Sequence, residues 1–356
     1  MARRFAALAE RHPPPQYAVM PEASQRPVAV WLLLTAVMVF AMAVIGAITR
    51  LTESGLSMVE WRPLVGAVPP LAEADWQRLF DEYRVTPEFQ RLNAWMGLDD
   101  FKAIFWWEYV HRLWGRLIGL VFALPLFWFW GKGRLAPWLK PWLLLALALG
   151  ALQGVVGWWM VASGLVDDPH VSHFRLAIHL GLAVLVYGLM LALAERLSRV
   201  PKLPTPAWLR AAAVALAGFA FLVILSGALV AGLDAGLIYN SFPLMGDSWI
   251  PDEVGLSGDV ATFLSSPASV QFLHRWLAKI LAAAILAFWA FARREPLAPS
   301  QRNPLDLLAA MAAVQVALGI LTLLLQVPIA LAAAHQAGAL VLLGLAVWTA
   351  GRLRRN

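Results

Sequence analysis

The sequence predicts an all-α integral membrane protein with eight transmembrane helices, arranged as two pseudo-symmetric four-helix bundles in a parallel repeat. Of its 356 residues, 60% are hydrophobic and only 14% are charged. The mean hydropathy of +0.67 lies well above that of a soluble domain. The apolar residues form long uninterrupted runs, and the order of several polar residues repeats between the two halves of the chain.

Each apolar run is long enough, at about 1.5 Å per residue, to cross the roughly 30 Å hydrocarbon core of a bilayer. The first run is interpreted as a retained span, because it is too long for a signal peptide and no small-residue cleavage site follows. The predicted spans are Val28–Ile48, Glu108–Trp130, Trp138–Val161, Phe174–Ala194, Leu209–Ala231, Pro267–Ala292, Leu305–Leu325 and Ile329–Ala350.

Lys and Arg accumulate at every second connection between these spans, whereas the connection 232–266 carries five acidic residues and neither Lys nor Arg. The positive-inside rule therefore predicts a multi-pass membrane protein with both termini cytoplasmic. Topology explains the net charge of +6, so the charge does not indicate a nucleic-acid partner. The predicted units are a cytoplasmic tail 1–27, an N-terminal bundle 28–195 with a long outer loop 49–103, a cytoplasmic linker 196–210, a C-terminal bundle 211–350 and a cytoplasmic tail 351–356.

The two halves align without a change of order. His111 lies 42 residues before Gln153, and His274 lies 41 residues before Gln315. Because each unit has four spans, both halves enter the membrane in the same orientation, which argues against an inverted-repeat transporter. The aligned pairs are Gly46 with Gly227, Glu53 with Asp234, His111 with His274, Gln153 with Gln315, Gly157 with Gly319 and His179 with His335.

Four histidines lie in the outer turns of the even-numbered spans and therefore at one predicted depth, near the periplasmic face. An ionisable side chain in a membrane helix is costly unless it has a partner or a function. An interhelical hydrogen bond, a proton relay and a metal ligand are the three common explanations. The chain has no cysteine, and two imidazoles per bundle suit a bis-histidine haem better than zinc, which needs more ligands. The candidate ligands are His111 with His179, and His274 with His335.

Cationic side chains accompany these histidines, and they are candidate partners of haem propionates. The alternative is that they extend into the outer headgroup region. Gly157 and Gly319 are interpreted as ordinary sites of close helix packing. The candidate propionate partners are Arg112, Arg116, Arg175, Arg275 and Lys279.

Several motifs together resemble the haem A synthase family, in its cysteine-free type of alphaproteobacteria and mitochondria. The resemblance covers about residues 28–350. Its motifs are TRLTESGLSMVEW from Thr49, PEFQRLN from Pro87, EYVHRLWGR from Glu108, GLDAGLIYNSFPLMG from Gly232, WIP from Trp249, QFLHR from Gln271 and AAAHQAG from Ala332.

The resemblance implies an enzyme that oxidises the C8 methyl group of haem O to the formyl group of haem A, by successive hydroxylations, for cytochrome oxidase. It implies a haem b cofactor between His274 and His335, and the haem O substrate near His111 and His179. Glu53 is implied as the catalytic carboxylate. Haem O synthase and assembly factors of the oxidase are the implied protein partners.

Two questions stay open at the level of the residues. Glu53 is equally well explained as a solvated loop acid, and Glu108 is interpreted as a headgroup-region residue, with a hydrogen bond to an axial histidine as the alternative. A di-haem b-type electron-transfer cytochrome would use the same histidine pairs. Such a carrier needs no outer-loop acid, whereas here the loop Thr49–Ala103 is about 20 residues longer than its counterpart Gly232–Ser266.

Overall fold

A computed structural model describes residues 25–60, 65–166, 169–198, 200–255 and 258–353. Most of the predicted tails 1–27 and 351–356 lies outside these ranges. Within them the structure is helical and contains no strand. Its ten α-helices are α1 Arg26–Leu51, α2 Glu73–Arg84, α3 Leu98–Gly131, α4 Lys140–Val161, α5 His173–Leu197, α6 Ala207–Gly232, α7 Val260–Ser265, α8 Pro267–Ala292, α9 Pro299–Leu324 and α10 Ile329–Arg352.

Eight of these helices, all except α2 and α7, are long and apolar enough to cross a membrane. The prediction of an all-α fold with eight spans is confirmed. We call the end of the molecule with the connections 52–97 and 233–266 the loop end, and the opposite end, where α1 begins and α10 ends, the terminus end.

Two helices begin earlier than the predicted membrane spans that they contain. Helix α3 begins at Leu98 rather than at Glu108, because Asp99 and Asp100 lie in its first turn, where negative charge is favourable. The Asp100 carboxylate also accepts a hydrogen bond of 3.0 Å from the Gly97 N–H. Helix α9 begins at Pro299, with a further proline inside it at Pro304.

The helices of each half pack in the same order around a ring. In the first half α1 contacts α3 and α5, and α4 contacts α3 and α5; in the second half α6 contacts α8 and α10, and α9 contacts α8 and α10. The halves meet where α5 contacts α6 and where α10 contacts α1 and α5. This order is what a parallel repeat predicts, while the division into two pseudo-symmetric bundles stays a prediction.

One continuous apolar core runs through both halves. Buried side chains from all eight spans contribute to it, among them Leu32, Leu126, Met190, Leu209 and Leu305. Because the core is shared, the halves support each other and a change in one reaches the other through packed side chains.

A buried polar cluster lies at the terminus end, where the segment between α5 and α6 joins the two halves. The Glu195 side chain is 2% exposed, and the Lys202 Nζ donates to its Oε1 at 3.0 Å. Lys202 also donates to the Gly351 carbonyl at 3.0 Å, and Arg352 lies 3.6 Å from Glu195. These bonds hold the joining segment against α10.

A second apolar cluster covers the loop end of the first half. Helix α2 and the start of α3 supply its buried rings, from Trp76, Phe80, Tyr83, Phe101 and Phe105. This packing explains why α3 extends beyond its membrane-spanning part. The long first outer connection therefore forms a folded cap over the first half.

The cap contains one buried carboxyl group. The Tyr83 hydroxyl donates to Glu88 at 2.9 Å and accepts from the Asn93 amide at 2.8 Å. Burial, with a smaller contribution from the charges of Glu108 and Glu53, raises the pKa of Glu88 to about 7, although the Tyr83 hydrogen bond opposes the shift. Because the folded state holds this proton more tightly, Glu88 contributes stability below its unfolded pKa, and this stability is lost as pH rises through about 7.

We expect Glu88→Gln to remove the loss of stability above about pH 7. The variant should be more stable than wild type at about pH 8, by a few kcal/mol at most, and of similar stability at about pH 5. Thermal unfolding of the detergent-solubilised protein at both pH values measures the difference. Asp81→Asn, on the exposed face of α2, is the control and should not change the pH dependence. An unchanged slope in Glu88→Gln would show that Glu88 does not titrate in this range.

Candidate functional site

The four predicted ligand histidines lie toward the loop end of their helices. His179, His274 and His335 are within about two turns of the start of α5, α8 and α10. His111 lies further along α3, because that helix begins ten residues before its predicted start. All four side chains are partly buried.

Each imidazole packs against a glycine of a neighbouring helix. A Cβ atom added to Gly157 would lie 2.9 Å from Cε1 of His179, and one added to Gly319 would lie 2.9 Å from Cε1 of His335. The corresponding distances are 3.1 Å from Gly227 to His274 and 3.6 Å from Gly46 to His111. The interpretation of Gly157 and Gly319 as ordinary helix packing was therefore wrong, since what they approach is an imidazole ring.

Polar side chains orient the rings. The Gln315 Nε2 donates to the His335 carbonyl at 2.8 Å and lies 3.1 Å from its Nδ1. Gln153 repeats the carbonyl bond at His179, at 2.9 Å, but its Nε2 lies 3.4 Å from Nε2 of the ring rather than from Nδ1. Both glutamine Oε1 atoms are buried without a hydrogen-bond partner among the described residues. We call the motif Gln-x-x-x-Gly a histidine clamp. Its amide group hydrogen-bonds the histidine, and its glycine leaves space for the Cε1 edge of the imidazole ring.

The second half adds a hydroxyl group to this arrangement. The Ser226 Oγ lies 2.9 Å from Nδ1 of His274. The repeat aligns Ser226 with Ile45, which has no polar side chain to offer His111. The second half is therefore more completely organised for a ligand than the first.

His274 and His335 face each other across the second half. Their ring centroids are 6.3 Å apart and their planes are almost perpendicular, at 89°. In the first half His111 and His179 lie within electrostatic range of each other. Among the described residues there is no group of three or more His, Cys, Asp or Glu side chains that could hold a bare metal ion.

Glu108 lies one turn before His111 on α3 and is only 2% exposed. Its Oε2 accepts from the Ser57 hydroxyl at 2.7 Å and from the Met58 N–H at 2.7 Å. Its Oε1 accepts from the Arg112 Nε at 3.0 Å. The interpretation of Glu108 as a headgroup-region residue was wrong. It is a buried group that fastens the first outer connection to the helix of His111.

Glu53 and Asp234 both end a helix. Each has a left-handed backbone, with φ of 51° at Glu53 and 49° at Asp234, just after the last turns of α1 and α6. The Ser54 N–H donates back to the Thr49 carbonyl at 2.9 Å, which is the hydrogen bond of a helix-terminating motif that usually contains glycine or asparagine. The Glu53 side chain is exposed. The shared position of the two acids thus has a structural cause.

The candidate propionate partners are engaged in several ways. Arg112 donates to the carbonyls of Met58 at 2.7 Å and Glu60 at 2.9 Å, and Arg275 donates to those of Ser241 and Leu244 at 2.9 and 2.8 Å. Both arginines therefore hold the outer connection of their own half.

Among the remaining cations, Arg175 lies 4.5 Å above the Trp159 ring and Lys279 lies 3.8 Å above the Trp276 ring. The Nη1 of Arg275 is buried without a hydrogen-bond partner among the described residues, so it keeps a donor for an anionic group. Arg116 lies one turn beyond Arg112 on α3. For all five cations the propionate role stays a prediction.

Comparison with known proteins identifies the family. Residues 29–347 match the family described as cytochrome oxidase assembly protein. The "Heme A synthase" of Rhodospirillum centenum is 50% identical over 335 residues, which cover 93% of this chain and 90% of that protein. The chain belongs to the haem A synthase family. The haem A synthases of Nitrosospira multiformis, 48% identical over 94% of this chain and 95% of that protein, and Parvibaculum lavamentivorans, 45% identical over 94% and 96%, agree with this assignment.

The residues of the second half fit a bis-histidine haem of a haem A synthase. Metal–imidazole bonds of about 2 Å on opposite faces of a macrocycle place the two ring centroids about 6 Å apart. The observed separation of 6.3 Å agrees with this geometry. The glycine contacts leave each ring close to a neighbouring helix. The Ser226 hydroxyl donates to the Val223 carbonyl and can accept from the Nδ1–H of His274, which leaves Nε2 of His274 as the available ligand atom.

We expect Gly319→Ala to displace the His335 ring, because the new methyl group would lie 2.9 Å from its Cε1. Haem retention in the purified variant should fall at least about ten-fold, with a changed absorption spectrum. Gly218→Ala in α6 is the matched control, since its Cβ would meet no atom within 4 Å. Equal haem content in the two variants would contradict the glycine contact as a requirement of the site.

Proposed function

We propose that this protein is a haem A synthase that oxidises the C8 methyl group of haem O to a formyl group by two successive hydroxylations, producing haem A for cytochrome oxidase. The observation that carries the proposal is the repetition of one histidine clamp in both halves of the chain. The two clamps support two haem positions, as an enzyme with a haem cofactor and a haem substrate requires. Family membership supports the same assignment.

The differences between the halves support different roles for them. Ser226 supports His274, and His274 and His335 have a separation suited to a shared iron. We therefore assign the second half to a resident haem b with His274 and His335 as axial ligands. The first half, in which Ile45 replaces the serine and the cap covers the loop end, receives haem O at His111 and His179.

Haem b, when bound, supplies the iron redox chemistry that removal of hydrogen from a methyl group demands. The chain's own residues position and shield the substrate. His111 and His179 orient the macrocycle of haem O, the cap of α2 and α3 excludes water from the loop end, and Arg112, Arg116 and Arg175 are the candidate partners of its propionates. Arg275 and Lys279 are the corresponding candidates in the second half.

A carboxylate near the substrate can accept the proton that leaves during oxidation. Glu53 is the catalytic candidate from the sequence motif. The geometry also favours Glu108, because it is buried and lies on the same face of α3 as His111, one turn away. Its hydrogen bonds to Ser57, Met58 and Arg112 hold it in one orientation.

The proposed setting is the bacterial inner membrane, with both termini cytoplasmic and the haem positions near the periplasmic face. Basic residues beside the terminus end and the acidic connection 232–266 support this orientation. Haem O synthase is the proposed source of the substrate, and assembly factors of cytochrome oxidase are proposed recipients of the product.

Extraction and chromatography of the bound haems test the function. Protein produced without haem O synthase should contain haem B alone, and co-production of that enzyme should add haem O or haem A. His335→Ala should lose the resident haem b, whereas His179→Ala should keep it and lose the second haem. Haem B in both halves under both conditions would instead identify a di-haem electron-transfer cytochrome.

A comparison of Glu53→Gln with Glu108→Gln distinguishes the roles of the two carboxylates. The catalytic residue is the one whose replacement leaves both haems bound but lowers haem A formation by at least about a hundred-fold, the usual scale of general acid–base catalysis. Haem A yield in cells and the haem content of the purified variants are the measurements. Full haem A yield in either variant removes that residue from the mechanism.

A further inference from the structure

Helix α1 carries two polar contacts to the second half, one on each side of Gly46. The Gln336 Nε2 donates to the Ala43 carbonyl at 2.7 Å. At the other end of this stretch, the Arg50 Nη2 donates to the Ala231 carbonyl at 3.0 Å and to the Asp234 carboxylate at 2.8 Å. The stretch of α1 from Ala43 to Arg50 is therefore fastened to α10 and to the end of α6.

These contacts connect the surroundings of both histidine pairs. Gln336 directly follows His335 in the sequence. Gly46, between the two fastened points, faces the His111 ring, and a Cβ atom added to it would lie 3.6 Å from Cε1 of that ring. The α6 end that Arg50 caps lies little more than one turn beyond Ser226 and Gly227, which contact His274. The stretch of α1 from Ala43 to Arg50 therefore lies beside His111. It is hydrogen-bonded to Gln336, which follows His335, and to the end of α6, near the residues that contact His274.

The repeat does not explain these bonds. The residues that align with Gln336 and Arg50 are Leu180 and Ala231, and neither has a side chain that can donate a hydrogen bond. The two donors therefore break the pseudo-symmetry, and both act on the helix that backs the first-half ligand. An asymmetric addition to a symmetric frame indicates a role that differs between the halves.

We propose that Gln336 and Arg50 are positioning residues that couple the two haem positions, so that occupancy of the second half organises the first half for its haem. The inference rests on the proposed function, which makes the second half the cofactor site and the first half the substrate site. When His335 is held as an axial ligand, α10 is fixed. Gln336 then fixes Ala43, and Gly46 presents a defined wall to the His111 ring. Linkage requires the effect to be reciprocal, so the substrate haem also stabilises the cofactor haem.

The test uses purified full-length protein that contains haem b and is titrated with haem O, followed by its absorption spectrum. We expect Gln336→Met, which keeps the volume but loses the donor, to retain haem b with an unchanged spectrum and to bind haem O about five-fold more weakly. Arg50→Gln provides an independent second variant with the same expected direction. In wild type, bound haem O should slow the transfer of haem b to an acceptor protein such as apomyoglobin, and this effect should be smaller in both variants.

Trp289→Phe is the matched control. It removes a hydrogen bond of 2.7 Å between α8 and Asp306 of α9 in the second half without touching α1, so both haem affinities should remain those of wild type. Wild-type affinity for haem O in both test variants would overturn the coupling. Loss of haem b from Gln336→Met would also overturn it, by showing that Gln336 serves the cofactor site itself. A wild-type protein that takes up no haem O would contradict the proposed function, and the coupling with it.

Discussion

The structure depends on the contact between an imidazole ring and a helix that has no side chain at that point. An ionisable ring in an apolar bundle needs hydrogen-bonding partners and space. Glycine supplies the space at His179, His274 and His335, and a glutamine one turn before the glycine supplies the amide at His179 and His335. The distances between α4 and α5, and between α9 and α10, are set by this contact, because a single Cβ atom would collide with the ring.

The loop end of the first half depends on another buried group. Burial of the Glu108 and Arg112 charges is compensated by a set of hydrogen bonds that includes backbone groups of the Ser57–Glu60 segment. A buried ion pair adds little net stability by itself, but it fixes one geometry, because each partner left alone would be costly. Here the fixed geometry holds the start of the first outer connection against α3, beside the turn that carries His111.

The two halves share an order of helix contacts but differ in their polar groups. The ring of helix contacts and the histidine clamps repeat, whereas Ser226, the folded cap and the donors Gln336 and Arg50 each occur in one half only. The shared apolar core makes the halves mechanically continuous. Under the proposed function, these small polar differences would distinguish a retained haem from an exchangeable one without a change of fold.

The sequence by itself determined the eight spans and the four candidate ligand histidines, because membrane thickness demands long apolar runs and because a histidine inside them is conspicuous. It also determined the family, through motifs that stand in order along the chain. The roles of Gly157, Gly319 and Glu108 were decided only by the tertiary structure, since each depends on which group of another segment lies opposite. The early start of α3 likewise depends on the aromatic cap that α2 forms against it. A contact such as Gln336 with Ala43, between residues from opposite ends of the chain, leaves no local pattern in the sequence, and only the packing of α10 on α1 creates it.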